Sequence, residues 1–262
     1  GGIDTITGGA GDDIITGGAG NDIITVDAGK DTVLDLGGSG GSESDVVIVN
    51  SGATLDATGI AGFTATNVTT NKSTDATKAT LTAKADAAVT IDVSGAKSDS
   101  KGWTLVGGSG TGDDVLKGGA AADTITGNGG DDTITGGAGD DIIDAGNGAD
   151  TIVITTAGEA DGDSIDGGGH SDVLKLATGG TDTFSTDNKL ENVETIQAHA
   201  SGSTLVLTGQ TEAFVITGGS GIDNITGGNG VDTITGGAGS DTIVGGAGND
   251  VLTGGSDNDA LT

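Results

Sequence analysis

Residues 8–25 decide the fold of this chain, because they contain one nine-residue pattern twice in succession. They read Gly-Gly-Ala-Gly-Asp-Asp-Ile-Ile-Thr and then Gly-Gly-Ala-Gly-Asn-Asp-Ile-Ile-Thr. The shared pattern is Gly-Gly-x-Gly-x-Asp-x-U-x, in which U is a large aliphatic residue. Self-similarity at a short fixed period indicates a repeat architecture, in which each unit buries its apolar side only against its neighbours.

The sixth position of the pattern is aspartate throughout, and a large aliphatic residue follows it two positions later. The repeats fall into three tracts. The sixteen aspartates are Asp4, Asp13, Asp22 and Asp31; Asp114, Asp123, Asp132, Asp141, Asp150, Asp163 and Asp172; and Asp223, Asp232, Asp241, Asp250 and Asp259. Such agreement across all sixteen positions excludes a chance pattern.

Each position of the nonapeptide has a physical role. The glycines let the backbone enter φ > 0 and turn tightly. The x-U-x triplet is rich in β-branched residues and predicts a short strand with U facing inward. Two nonapeptides close one coil, and successive coils stack as parallel strands about 4.8 Å apart. We therefore expect an all-β fold, a parallel β-roll or β-helix solenoid interrupted by β inserts.

The sequence divides into five segments on this pattern. Residues 1–45, 107–175 and 218–262 are the repeat tracts, and residues 46–106 and 176–217 are β inserts that contain all four aromatic residues. Alternating stretches at 79–83, 89–93 and 204–208 predict strands inside the inserts. The inserts either continue the solenoid without metal or form small β lobes on it, and the sequence leaves both possibilities open.

The charge of the chain restricts its partners. The formal net charge is −30, with nine lysines and no arginine. Nucleic acid is excluded as a partner, because phosphate binding needs basic residues. No apolar run approaches the ~20 residues that span a bilayer, so membrane insertion is not expected. The chain contains no cysteine, so no disulfide holds the fold.

Stacked coils bring carboxylates together and so predict calcium. Aspartates two repeats apart, such as Asp4 and Asp22, lie one above the other on this geometry. Two carboxylates ~5 Å apart repel by roughly 3 kcal/mol at an effective dielectric near 20, so the unliganded roll should not persist. One Ca²⁺ bridges such a pair, and glycine-loop carbonyls complete six to eight oxygen ligands. Zinc prefers His or Cys. We expect about eight or more calcium ions.

These residues resemble the RTX (repeats-in-toxin) nonapeptide family, whose parallel β-roll binds calcium. The resemblance implies that the sixteen aspartates and the loop carbonyls are the ligands. The loop residues concerned are Gly8, Ala10, Gly11, Gly17, Ala19, Gly20, Gly127, Gly129, Gly136, Ala138, Gly139, Gly227, Asn229, Gly230, Gly236, Ala238, Gly239, Gly245, Ala247 and Gly248. Ala121, His170 and Asp257 replace the fourth-position glycine, and residues 26–28 replace the leading Gly-Gly-x. Sites built on these loops are expected to be weaker or vacant.

No enzyme active site is expected. Residues 37–41 match the Gly-x-Ser-x-Gly string but lack the strand and helix that a nucleophile elbow needs. The two histidines, His170 and His199, are 29 apart and form no metalloprotease motif. The acidic run Glu159, Asp161, Asp163 and Asp166 is either a solvated loop or an extra calcium site, and the sequence does not distinguish the two.

Three functions fit the sequence. The composition and the alternation of tracts with inserts resemble secreted surface-layer proteins of the Caulobacter type, which implies a calcium-dependent lattice at the cell surface, self-association and contact with surface polysaccharide. The alternatives are the folding and secretion domain of an RTX toxin, protease or lipase, and a segment of an RTX adhesin. The RTX resemblance implies type I secretion to the extracellular space in each case.

Overall fold

The fold is a parallel β-solenoid, which confirms the predicted class. The computed structural model describes residues 1–36, 44–66, 68–73, 79–97 and 100–262, and the chain divides into two compact units, residues 1–142 and 143–262. Short strands dominate the described residues, and helix is confined to two 3-10 turns, Glu159–Asp161 and Asp187–Lys189. The division between the units falls within the second repeat tract.

The first unit contains fourteen strands in its described part and the start of a fifteenth. They are β1 (Thr5–Thr7), β2 (Ile14–Ile15), β3 (Ile23–Val26), β4 (Gly29–Val33), β5 (Val46–Val49), β6 (Ala53–Ile60), β7 (Phe63–Thr64), β8 (Thr70–Asn71), β9 (Ala79–Ala83), β10 (Thr90–Asp92), β11 (Thr104–Val106), β12 (Val115–Lys117), β13 (Thr124–Thr126), β14 (Thr133–Thr135) and β15 (Ile142–Asp144). Their hydrogen-bonded orders are β1-β3-β5-β8, β7-β10-β12-β14 and β2-β4-β6-β9-β11-β13. Consecutive strands thus belong to different sheets, as coiling requires.

The second unit repeats this arrangement. Its strands are β16 (Thr151–Ile154), β17 (Ser164–Asp166), β18 (Val173–Leu176), β19 (Thr181–Thr183), β20 (Leu190–Glu191), β21 (Thr195–Gln197), β22 (Thr204–Val206), β23 (Val215–Thr217), β24 (Asn224–Thr226), β25 (Thr233–Ala238), β26 (Thr242–Val244), β27 (Val251–Ser256) and β28 (Ala260–Leu261). The orders are β16-β18-β21-β23-β25-β27, β17-β20 and β19-β22-β24-β26-β28.

Within the tracts one coil takes two nonapeptides, as predicted. Ile6 pairs with Ile24, Leu116 with Ile134, and Ile225 with Ile243, all in parallel register. Each pair joins two U positions. The side chains of Ile24, Leu116, Ile134, Ile225 and Ile243 are at most 1% exposed, so the U residues form the thin central column that the pattern predicts.

The inserts continue the same β-sheets with longer coils. Leu81 pairs with Leu105, which is 24 positions later, and Ile91 pairs with Phe63, which is 28 positions earlier. The predicted insert strands are present as β9, β10 and β22. Of the two possibilities that the sequence left open, continuation of the solenoid is the one observed within each unit. The aromatic side chains fill the wider coils, since Phe63, Trp103, Phe184 and Phe214 are all buried.

Candidate metal sites along the aspartate ladders

Backbone amides connect the repeat aspartates of neighbouring coils. The N–H of Asp4 donates to Oδ1 of Asp22 at 2.8 Å, and the N–H of Asp223 donates to Oδ1 of Asp241 at 2.9 Å. The same bond joins Asp13 to Asp31, Asp114 to Asp132, Asp123 to Asp141, Asp232 to Asp250 and Asp241 to Asp259, at 2.7–3.0 Å. We call each such row an aspartate ladder. The ladders place aspartates two repeats apart on the same edge, as predicted.

The ladder satisfies only one oxygen of each carboxylate. The side chains of Asp22, Asp31 and Asp241 are at most 2% exposed. Oδ2 of Asp13, Asp22, Asp31, Asp172 and Asp241 is buried and has no hydrogen-bond donor among the described residues. A buried ionised oxygen without a partner is costly, and a bound cation removes that cost. These oxygens are hard ligands of the kind that Ca²⁺ prefers, so the residues present fit the ion that the sequence predicts.

The first glycine of the loop makes room for the carboxylate. A Cβ built on Gly17 would lie 2.5 Å from Oδ2 of Asp22, and one built on Gly245 would lie 2.5 Å from Oδ2 of Asp250. The aspartate therefore folds back over the start of its own loop. Any side chain at this glycine would displace the carboxylate from the position in which it faces the loop.

Most of the loops adopt one of two conformations. In the first, which we call open, the second and fourth glycines have positive φ, as at Gly237 (109°) and Gly239 (118°), and Oδ2 of Asp241 has no donor within the described part of the chain. In the second, which we call closed, the second glycine has no positive φ, and its N–H donates to Oδ2 of its own aspartate. The closed loops pair Gly108 with Asp114, Gly119 with Asp123, Gly219 with Asp223 and Gly228 with Asp232, at 2.6–3.0 Å. An open loop offers an oxygen to a cation, and a closed loop uses it internally.

The closed loops are the first two of the second and third tracts, where each faces an insert coil. The residues that donate to Oδ1 of their aspartates are not aspartates. They are Val89, Trp103, Ser203 and Phe214, which bond to Asp114, Asp123, Asp223 and Asp232 respectively. At these four positions the described residue next in the row is not an aspartate, and the second carboxylate oxygen is satisfied by its own loop.

Loop conformation also explains the departures from the repeat. His170 and Asp257 replace a glycine and adopt positive φ, 92° and 77°, so both take the open conformation at the cost of an unfavourable backbone angle. Ala121 lies in a closed loop and has no positive φ, so alanine is accommodated there without strain. The three replacements are therefore not equivalent.

Sequence reasoning missed three acidic residues that extend or brace the ladders. Asp45 accepts the N–H of Asp22 at 2.7 Å, and Glu194 accepts the N–H of Asp172 at 2.8 Å. Asp35 accepts the N–H groups of Gly17 and Gly18 at 2.9 and 2.7 Å. Asp45 and Glu194 each precede a buried aliphatic residue by two positions. A search for an acid two before an aliphatic residue, without the nine-residue spacing, would have found both.

The loop carbonyl ligands remain a prediction. Residues 37–41, which contain the Gly-x-Ser-x-Gly string, lie outside the described residues. Across the described ranges no three His, Cys, Asp or Glu side chains converge on one metal position. A calcium site here would therefore combine one or two carboxylates with backbone oxygens.

The calcium-free protein should become more stable as the pH falls from about 7 to about 4. Burial raises the pKa of Asp123 to about 7, with the Asp141 carboxylate adding to the effect, and burial raises that of Asp172 to about 6. The unfolded value is ~3.9. Between pH ~4 and these raised pKa values the folded state binds more protons than the unfolded state. The stability that this proton binding contributes is therefore fully present below pH ~4 and is lost as the pH rises through 6 and 7.

Circular dichroism of protein stripped of calcium beforehand checks this, and the folded fraction at one fixed temperature should be larger at pH 4.5 than at pH 7.5. In saturating calcium the order should reverse, since protons compete with the cation for the carboxylates of open loops such as that of Asp172. A larger folded fraction at pH 7.5 than at pH 4.5 without calcium would contradict the burial of these carboxylates.

Comparison with known proteins agrees with this geometry. The family model of the RTX calcium-binding nonapeptide repeat (4 copies) matches residues 1–33, 104–142, 118–152, 215–243 and 235–262. The comparison with curated proteins found no match. In the described part of the chain no helix is both long and apolar enough to cross a membrane. The matched residues contain fourteen of the sixteen repeat aspartates, all except Asp163 and Asp172. The three tracts belong to the RTX family of calcium-binding nonapeptide repeats.

Proposed function

We propose that the chain is a non-catalytic scaffold segment of a secreted surface-layer protein, whose folding and self-association into a lattice depend on Ca²⁺. Calcium binding and a structural role follow from the RTX repeats themselves. Secretion by the type I route, placement on the cell surface and attachment to surface polysaccharide are parts of the proposal.

The observation that carries the proposal is that strands of tract coils and of insert coils belong to the same β-sheets. In the first unit β10 pairs with insert strand β7 on one side and with tract strand β12 on the other. In the second unit β23 pairs with insert strand β21 and tract strand β25. Such a sheet can be lengthened by adding either kind of coil, which suits an extended scaffold better than a single folding domain.

Two exposed valines on the second unit, with a threonine between them, support self-association. Val215, Thr233 and Val251 lie side by side on β23, β25 and β27. The two valines are 49% and 57% exposed. These two valines form an uncharged contact strip on a chain whose net charge is −30. Bound calcium would not add charge to this strip.

Electron microscopy of the purified protein tests the proposal. In calcium the protein should form ordered two-dimensional arrays, and in EGTA it should form none. The variant Val251→Lys, which adds a charge to the contact strip without touching a ladder, should weaken the arrays while keeping the calcium-dependent circular dichroism. Monodisperse particles in calcium at all protein concentrations would overturn the lattice and favour a toxin, hydrolase or adhesin segment.

A further inference from the structure

A fully buried aspartate lies outside the nonapeptide matches, in strand β19. Asp182 is 0% exposed and pairs in register with Leu205, which in turn pairs with Ile225. It therefore occupies the row in which the following coils carry aliphatic side chains. A carboxylate in such a row requires a partner that compensates for its lost hydration.

The Asp182 carboxylate points at the 3-10 turn Glu159–Asp161. Its Oδ1 accepts the N–H of Gly158 at 2.9 Å, and its Oδ2 is buried without a hydrogen-bond donor from any described residue. A reciprocal bond runs from the N–H of Thr183 to Oδ1 of Asp161 at 2.7 Å. The turn and the strand are thus connected twice, and the second connection brings another carboxylate close to Asp182.

Two other acids of this loop, Glu159 and Asp166, bond elsewhere. Glu159 accepts the N–H groups of Thr155 and Thr156 through Oε2, each at 2.9 Å. Asp166 accepts from Gly168 and from the side-chain amide of Asn192. Asp161 is bonded to β19 through the N–H of Thr183.

Lys189, the lysine of this region, does not neutralise the charge of the Asp182 carboxylate. Lys189 directs its Nζ to the carbonyl oxygen of Gly162 at 2.6 Å, at the opposite end of the turn from Gly158. Burial raises the pKa of Asp182, and the charges of Asp161 and Glu159 raise it further. The surroundings of Oδ2 are therefore negative, and the described residues offer it no donor.

We propose that Asp182 and Asp161 hold a divalent cation, calcium by preference, between β19 and the turn Glu159–Asp161. Carboxylate oxygens from a turn and a strand suit Ca²⁺, which accepts backbone carbonyls and waters for the rest of its shell. The ion would tie an insert coil to the loop before it, outside every residue that the RTX family model matches. The site does not depend on the proposed lattice.

Native mass spectrometry, which resolves single calcium ions on a 24.7 kDa chain, tests the site. Asp182→Asn and Asp161→Asn each keep the oxygen that accepts the N–H of Gly158 or Thr183 and remove only a charge. Each variant should bind one calcium ion fewer than the parent protein. The matched control is Asp187→Asn, in which an exposed aspartate that accepts the N–H of Thr211 is changed in the same way, and its calcium number should be unchanged.

The variant Asp182→Leu distinguishes a cation ligand from a carboxyl that is merely protonated. Leucine matches Leu205 in the same row and should raise Tm at subsaturating calcium. If Asp182 binds calcium, the increase in Tm that calcium produces should be smaller in this variant than in the parent protein. The proposal is overturned if Asp182→Asn and Asp161→Asn both retain the full calcium number. Should Asp182→Asn fail to fold, Asp161→Asn decides, because Asp161 is exposed.

Discussion

Removal of calcium with EGTA should abolish most of the β-sheet circular dichroism of the nonapeptide tracts. The reason lies in the open loops, where Oδ2 of Asp13, Asp22, Asp31 and Asp241 is buried without a donor among the residues that the structure describes. Leaving one buried acceptor unsatisfied costs about 1–3 kcal/mol, and more when it is charged. Four such oxygens would consume most or all of the ~5–15 kcal/mol by which a folded domain is stable.

Hydrogen exchange should locate the loss. Amides of tract strands β3, β24 and β26 should exchange rapidly in EGTA and regain protection when calcium is added back. Insert strands should lose protection later, because side-chain amides bind the carbonyls of their turns. Examples are Gln210 to the carbonyl of Thr186 at 2.6 Å and Asn71 to the carbonyl of Gly102. An unchanged spectrum in EGTA, with the tract amides still protected, would refute a calcium-dependent fold.

The substitution Gly118→Ala should destabilise the protein far more than Gly119→Ala in the next position. Neither glycine has positive φ, so backbone strain does not distinguish them. A Cβ at residue 118 would collide with the carboxylate of Asp123 and with the carbonyl oxygen of Gly136 on the following coil. A Cβ at residue 119 would meet nothing closer than the carbonyl oxygen of Val93 at 3.5 Å, an ordinary contact.

Overpacking of this kind costs about 1–3 kcal/mol. At about 2–4 °C per kcal/mol for a chain of this size, Tm of Gly118→Ala should fall by about 2–12 °C, whereas that of Gly119→Ala should stay close to the parent value. Differential scanning calorimetry in saturating calcium measures both. Equal losses for the two variants would show that the aspartate does not fold back over the first glycine.

The repeat pattern was sufficient to predict the solenoid, because its two periodicities act locally. An aliphatic residue two after each aspartate sets which side chains face inward, and the length of two nonapeptides sets the coil. Ile6 opposite Ile24 and Leu116 opposite Ile134 follow directly. The insert coils could not be predicted in detail, since their lengths vary and no nine-residue spacing marks their turns.

Repulsion between carboxylates is only part of the energetics of the aspartate ladders. In the structure the N–H of Asp4 donates to Oδ1 of Asp22. One oxygen of each carboxylate in a ladder therefore accepts a hydrogen bond without any metal. The distinction between open and closed loops was also beyond the sequence. Gly219 in a closed loop and Gly237 in an open loop occupy the same repeat position, and they differ because the coil before one is an insert and the coil before the other is a tract.

The most direct test of calcium-bridged aspartate ladders is anomalous diffraction from crystals grown in calcium. The account predicts peaks within about 2.3–2.6 Å of Oδ2 of Asp22 and Asp241, and none at the closed loops of Asp123 and Asp223. Maps with no peak at any repeat aspartate, and with those oxygens turned toward solvent, would contradict it.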